Sequence, residues 1–191
     1  MMNCYVVKDG GEALVIDPGE SDAALLDSLK DSKVAMIFNT HCHIDHCGGN
    51  EALVKATGAP LVCHEEDLPL LRSLDEQAMM FGVAGATSPE PDKFIAEGDK
   101  VKVGNTEFEV FHTPGHSPGH VVLVGGGAAI VGDVLFAGSI GRSDLPGGDH
   151  AQLIRSIHEK LLTLPDATVV YSGHGPTTTI GAERNANPFL V

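Results

Sequence analysis

Basic residues are scarce in this chain of 191 residues: 12 Lys and Arg stand against 26 Asp and Glu, a formal net charge of −14. A surface of that sign repels phosphates, which argues against nucleic acid or an anionic membrane as partner. The figure overstates the charge of a metal-loaded protein, because bound divalent ions offset carboxylates. Long apolar runs are missing too, none reaching the roughly 18 residues of a membrane span. The opening Met1-Met2-Asn3-Cys4-Tyr5-Val6-Val7 has neither a basic leader nor a signal-peptide core, so a cytoplasmic protein is expected. Cysteine is sparse: Cys4, Cys42, Cys47 and Cys63 show no framework spacing and are expected as thiols in a reducing compartment.

What remains is ordinary globular material, 42% hydrophobic and 20% charged, enough for one domain with a real core spanning 1–191 without a linker. Strand signals run over Cys4 to Lys8 and Ala13 to Ile16, with a turn at Asp9-Gly10-Gly11 and a hairpin end at Asp17-Pro18-Gly19. Ser21 is expected to cap a helix bearing Leu25, Leu26 and Leu29, and Val34 to Phe38 reads as a strand buried on both sides. Asn50 as cap and Gly58 as stop bound a helix, and Leu61 to Cys63 is a short strand. Leu68, Leu71, Leu74 and Ala78 mark one further amphipathic helix, with Pro69 in its first turn. Gly82 to Asp92 is a loop, either a connector or a mobile lid.

Strands resume at Lys100 to Val103, Glu107 to His112, Val121 to Val124, Ala128 to Val131 and Thr168 to Tyr171, the last of them. A long loop, Gly138 to Gly148, leads to a helix capped by Asp149, with Gln152 at capping-box spacing and a stripe of Leu153, Ile154, Ile157 and Leu161. A short helix is expected over Ile180 to Asn185. Two groups of strands, each with helices, predict an α/β sandwich: two sheets packed together with helices outside.

The informative stretch is Thr40-His41-Cys42-His43-Ile44-Asp45-His46, closed by Cys47-Gly48-Gly49 directly after the buried strand. Neutral imidazole and carboxylate are ligands for first-row metals, and no packing requirement explains three histidines and an aspartate in one solvated turn. Further candidates recur where strands stop: His116, Asp133 and His174. Donors on loops at one edge of a rigid sheet sandwich can converge without distorting its core. Seven donors suggest two ions, and the His41-x-His43 pair can face one while Asp45 and His46 reach another. Alternation along an extended turn points Cys42 away from the ligands, so Cys42 and Cys47 are expected as small packing residues. His120 is expected to support its loop by hydrogen bonds, and His64, His112, His150 and His158 lack partners at ligand spacing.

Thr-His-x-His-x-Asp-His, then Thr113-Pro114-Gly115-His116, Gly132-Asp133 and Ser172-Gly173-His174-Gly175, in this order, resemble the metallo-β-lactamase superfamily. Within it the chain resembles the glyoxalase II branch, in particular short bacterial members, through Gly138-Ser139-Ile140-Gly141-Arg142-Ser143-Asp144 and the ending Gly181 to Leu190. The resemblance implies a four-layer αββα sandwich of two mixed β-sheets flanked by helices. It also implies that His41, His43 and His116 hold one divalent ion, that Asp45, His46 and His174 hold a second, and that Asp133 bridges them. Zinc is the ion expected, although iron and manganese accept the same donors. Two cations sharing a water lower its pKa toward about 7, and Asp45 is the catalytic candidate that orients or deprotonates it.

A thioester suits this chemistry, since a thiolate of pKa about 8.5 departs without a strong general acid. The expected reaction is hydrolysis of S-lactoylglutathione or a related S-acyl-glutathione, a small-molecule thioester. Arg142 is the candidate for a substrate carboxylate, or else anchors its own loop through Asp144. A single domain without the helical C-terminal domain of full-length glyoxalase II is expected, and Arg142 and Asp144 stand where that family commonly shows lysine and an aromatic. A mononuclear-iron persulfide dioxygenase using His41, His116 and Asp133 is the alternative, and a metal-binding scaffold without catalysis a third.

Overall fold

The computed structural model describes residues 2–190; Met1 and Val191, the ends of the expected 1–191 domain, lie outside the described residues. The described chain divides into two compact units, residues 2–95 with 102–106, and residues 96–101 with 107–190. Among the described residues no helix is long and apolar enough to cross a membrane.

The first unit contains β1 (Tyr5–Asp9), β2 (Glu12–Ile16), α1 (Ala23–Leu29), β3 (Lys33–Phe38), α2 (Ile44–Cys47), α3 (Asn50–Thr57), β4 (Leu61–His64), α4 (Leu68–Arg72), α5 (Leu74–Phe81) and β5 (Lys93–Ile95). Its sheet is mixed and follows chain order β1-β2-β3-β4-β5. The β1–β2 hairpin is antiparallel, and β2, β3, β4 and β5 then pair in parallel. Val15 lies opposite Ile37, and both pack with Leu29 and Leu53 in one apolar cluster. A second cluster joins Cys42, Cys47 and Cys63 to Leu71, Leu74 and Ala78, so the two cysteines of the ligand turn are packing residues as expected.

Several boundaries differ from the sequence expectation. Asp22 caps α1, its Oδ1 accepting from the Leu25 amide at 2.8 Å, because the helix begins one residue later than a Ser21 cap requires. Gly49 occupies the cap position of α3, and Asn50 instead pairs its side chain with Asn39. Gly58 does end that helix. The single helix expected across Leu68 to Ala78 is two, broken at Ser73: the Leu70 carbonyl accepts from the Ser73 amide, the Ser73 hydroxyl and Gln77 Nε2, which diverts it from α-helical bonding. Within β3, Ala35 and Met36 are half-buried, so the strand is not wholly enclosed. The Gly82 to Asp92 loop is tied down by Arg72 on Glu90, by Asn50 Nδ2 donating to the Ser88 hydroxyl, and by Asp92 accepting from the Leu61 amide; β5 beyond it is a strand the sequence did not signal.

The remaining elements are β6 (Lys100–Val103), β7 (Thr106–His112), β8 (Val121–Gly125), β9 (Ala128–Gly132), β10 (Leu135–Phe136), β11 (Ser139–Ile140), α6 (His150–Ser156), β12 (Val169–Ser172), β13 (Thr178–Thr179) and α7 (Ile180–Ala186). The second sheet has the order β13-β12-β9-β8-β7-β6; β12 is parallel to β9, while the β7–β8, β8–β9 and β12–β13 pairs are antiparallel. The β10–β11 hairpin and β13 are too short to show periodicity, so the expected Gly138 to Gly148 loop contains a strand and Thr168 to Tyr171 is not the last one.

Asp149 caps α6 as expected, its Oδ1 accepting from the Gln152 amide at 2.9 Å. The reciprocal half of a capping box does not form, since the Asp149 amide donates to Gly115 O at 2.8 Å. Leu153, Ile157 and Leu161 are fully buried, α6 continuing into a wider turn over Ile157–Leu161. Each such side chain contributes about 1.5–3 kcal/mol by burial. The cap contributes about 1 kcal/mol, so the apolar stripe decides the placement of this helix.

Candidate metal centre

The register of parallel strands positions the donors. In the first unit Ile16 pairs with Phe38, so β2 and β3 end level, and the Asp17 amide donates to Phe38 O at 2.9 Å. Asp17 therefore stands beside the turn that follows β3. Loops at the carboxyl ends of parallel strands are where such folds place ligands. His41, His43 and His46 are buried and Asp45 is exposed; the His41 ring centroid lies 4.9 Å from that of His43 and 4.1 Å from that of His46. Asp45 Oδ2 is 3.7 Å from His46 Nε2.

Asp17 organises this group, and sequence reasoning missed it. Its Oδ1 accepts from the Thr40 amide at 2.7 Å, and its Oδ2 accepts from the Thr40 hydroxyl at 2.7 Å and from His46 Nδ1 at 3.0 Å. The Thr40 hydroxyl, its proton given to Asp17, accepts in turn from His41 Nδ1 at 3.1 Å. Both imidazoles are thus assigned the tautomer that leaves Nε2 with a lone pair for a metal. Asp17 holds this place with φ of 52°, a conformation aspartate tolerates better than most residues. The sequence signal was Asp-Pro-Gly, which reads as turn chemistry alone.

Two further side chains grip the backbone of the turn. The Cys42 amide donates to buried Asp67 Oδ2 at 2.9 Å, and the Ile44 amide to Gln77 Oε1 at 2.9 Å, while Gln77 Nε2 donates to Cys42 O at 3.2 Å. His43 precedes α2 in extended conformation, which turns Ile44 and Cys47 into the apolar cluster and leaves Asp45 outward. Burial pushes the Cys47 thiol up, and the neighbouring Cys47 thiol, followed by burial, pushes Cys42 well above the ordinary range.

The second unit repeats the logic. Ser172 pairs with Gly132, and the Gly173 amide donates to Gly132 O at 2.7 Å, so the residues after β9 and β12 lie side by side. His174 Nε2 is 3.4 Å and His116 Nε2 3.8 Å from Asp133 Oδ2. His116 Nδ1 donates to Arg142 O at 2.7 Å, which directs its Nε2 toward Asp133. Gly141 makes this approach possible: a Cβ there would sit 1.9 Å from Asp133 O and 3.4 Å from His116 Nδ1. His120 Nε2 accepts from the Asp133 amide at 3.1 Å, which occupies that lone pair and gives His120 the supporting role expected of it. The Phe136 ring stands edge-to-face on His174 at 6.2 Å.

The Arg142 guanidinium is paired bidentately with Asp144 at 2.8 Å, and this contact holds the Asp144 carboxyl down at about 2. His64 Nδ1 accepts from the Glu66 amide, His112 Nε2 bonds Pro118 O, and His158 is exposed.

Each unit therefore carries a set of imidazole and carboxylate donors: His41, His43, Asp45 and His46 in one, His116, Asp133 and His174 in the other. Such donors fit a divalent first-row ion and make no soft thiolate site. An α/β fold that gathers histidines and aspartates at strand ends is suited to binding divalent metal. The family model of the metallo-β-lactamase superfamily matches residues 1–174, and the chain belongs to that superfamily.

Among curated relatives, the hydroxyacylglutathione hydrolase GloC of Haemophilus influenzae is 40% identical, over 98% of this chain and 92% of its own length. The probable metallo-hydrolase YqgX of Bacillus subtilis is 38% identical over the same shares. Solved structures agree: BLEG-1 B3 metallo-β-lactamase has a TM-score of 0.92 at 40% identity, covering 100% of this chain and 94% of that one. TTHA1623 in a di-iron-bound form has a TM-score of 0.91 at 41% identity, covering 100% and 96%. ETHE1 from Myxococcus xanthus has 0.77 at 28% identity, covering 98% and 78%. The chain therefore has the α/β metallo-β-lactamase fold, with mixed sheets and helices.

Proposed function

We propose that this protein is a metal-dependent thioester hydrolase acting on S-lactoylglutathione or a related S-acyl-glutathione. The observation that carries the proposal is the set of seven donors, with His41, His46 and His116 held in the ligating tautomer, in a chain similar over nearly its whole length to a hydroxyacylglutathione hydrolase. In this reading His41, His43 and His116 would hold one divalent ion, Asp45, His46 and His174 would hold a second, and Asp133 would serve both. When bound, the pair supplies a water ionised near neutral pH and polarises the thioester carbonyl.

The protein's own residues do the rest. Asp17 and Thr40 keep His41 and His46 in the ligating tautomer, and the Arg142 carbonyl does the same for His116. Asp45, exposed beside His46, orients the attacking water and takes its proton. The leaving thiolate, of pKa about 8.5, needs no protonation as it departs. Arg142 lies on an exposed loop, and its guanidinium exchanges Asp144 for a carboxylate of the thiol moiety.

A second reading within the superfamily is a mononuclear-iron persulfide dioxygenase built on His41, His116 and Asp133, two histidines and one carboxylate of facial-triad type. The experiment is a metal-replete panel of S-lactoylglutathione, a β-lactam, and glutathione persulfide with oxygen monitored. Thiol release from the thioester without oxygen uptake supports the hydrolase. Oxygen consumption with persulfide and an intact thioester would replace it by the dioxygenase.

A further inference from the structure

The chain's last helix contributes no donor to the centre, yet it carries a buried carboxylate that the hydrolytic mechanism does not use. Glu183 is 4% exposed. Its Oε2 accepts from the Gly138 amide at 2.9 Å and from Asn187 Nδ2 at 2.8 Å, and its Oε1 from the Thr178 hydroxyl at 2.6 Å. Asn187, fully buried one turn further along, also donates from Nδ2 to Ser139 O at 2.9 Å. Glu183 of α7 and Asn187, the residue just past its end, thus grip consecutive residues, 138 and 139, at the start of β11.

From there the path to the metal ligands is short and stiff. Leu135 and Phe136 of β10 pair with Ile140 and Ser139, and β10 begins two residues after Asp133. The Gly141 amide donates to Val134 O at 3.2 Å, and Gly141 is pressed against Asp133 O. Arg142 then presents the carbonyl that accepts from His116 Nδ1. The far side of α7 is anchored too: the Arg184 guanidinium donates to Leu162 O at 2.6 Å and Leu164 O at 2.7 Å, and Ile180 is fully buried.

We propose that Glu183, with Asn187, is a positioning residue for the metal centre: it latches the 138–142 segment so that the Arg142 carbonyl and Asp133 are held in ligating register for His116. A carboxylate that is itself buried and satisfies three donors, the buried Asn187 amide among them, leaves those groups unpaired when it is removed. The group that would shift on its loss is the one that sets the tautomer of His116. This inference rests on the assignment of His116 and Asp133 as metal ligands.

The test uses the full chain stripped of metal and titrated with Co(II) alone, followed by its visible absorption. Amide hydrogen exchange over residues 138–142 is measured in the metal-free state. Glu183→Ala is expected to weaken Co(II) binding about tenfold, the lower end of the effect of outer partners on metal sites, and to speed exchange in that segment. Glu183→Gln should restore both, because its amide oxygen can take the two N–H donors and its amide group can donate to Thr178 Oγ1. If Glu183→Ala does not fold, Thr178→Val removes a single bond of the same carboxylate and should weaken Co(II) about threefold.

His116→Ala is the control. If it leaves Co(II) binding unchanged, the ligand assignment fails. If His116→Ala weakens binding while Glu183→Ala, or Thr178→Val in its place, does not, the latch is overturned and the ligand assignment stands.

Discussion

Replacing Asp17 tests the hydrogen-bond chain that prepares His41 and His46. Its carboxylate accepts three bonds, from the Thr40 amide, the Thr40 hydroxyl and His46 Nδ1, in a site 2% exposed. Asp17→Ala leaves these buried donors unpaired at about 1–3 kcal/mol each, part of which water recovers by entering the space, so a loss of about 3–5 kcal/mol is expected. For a chain of this size each kcal/mol moves Tm by about 2–4 °C, giving a fall of about 6–20 °C.

Asp17→Asn is more discriminating. The amide oxygen keeps the Thr40 amide, which places the NH₂ group against the Thr40 hydroxyl and His46 Nδ1. The NH₂ then donates to Nδ1, moves the ring proton to Nε2 and removes the lone pair that a metal needs. Co(II) titration of the stripped protein should show affinity about 10–100-fold weaker, with a Tm loss much smaller than that of Asp17→Ala. An Asp17→Asn protein that binds Co(II) as tightly as the parent, with the same absorption, would refute the tautomer argument.

Gly141→Ala places a methyl within 1.9 Å of Asp133 O, so the segment must move; thermal unfolding should show a loss of at least about 2 kcal/mol, with reduced metal content after dialysis. Arg142→Ala retains the carbonyl that orients His116 and loses only the guanidinium, so KM for S-lactoylglutathione should rise about tenfold with kcat nearly unchanged. A KM that stays put would leave Arg142 as an anchor of its own loop through Asp144. Burial, with help from Asp17 and Asp22, pushes the Cys4 thiol from its ordinary 9.0 up to about 12. Between those values the unfolded chain releases a proton that the folded chain keeps, so stability is complete below about pH 9 and falls as pH rises, by up to about 1.4 kcal/mol per unit. Urea titrations of Cys4→Ala from pH 8 to 11 should show a shallower decline than the parent, and parallel curves would contradict the assignment.

The candidate metal-binding turn stands out in the sequence because four donor groups fall in seven residues at a strand end, a pattern packing cannot explain. Asp17 does not, because a turn and a ligand-orienting carboxylate use the same residue type, and only the pairing of Ile16 with Phe38 brings it to Thr40. Asp67 and Gln77 grip the turn from 25 and 33 residues away, through contacts that no local spacing encodes. The break at Ser73 depends on competition for one carbonyl, and β10, β11 and β13 are two residues long, below any periodicity. Ser21 and Asp22 are both good caps, and sequence alone cannot choose between neighbours. Packing periodicity, by contrast, placed the stripe of α6 correctly, because Leu153, Ile157 and Leu161 must share a buried face.

The proposed function requires two divalent ions among the seven candidate donors. It is tested most directly by counting metal in protein purified without added metal and then reloaded with zinc, beside His174→Ala treated identically. The account predicts about two ions per chain in the parent and about one in the variant. A single ion per chain in both, iron in composition and unaffected by His174, would contradict it.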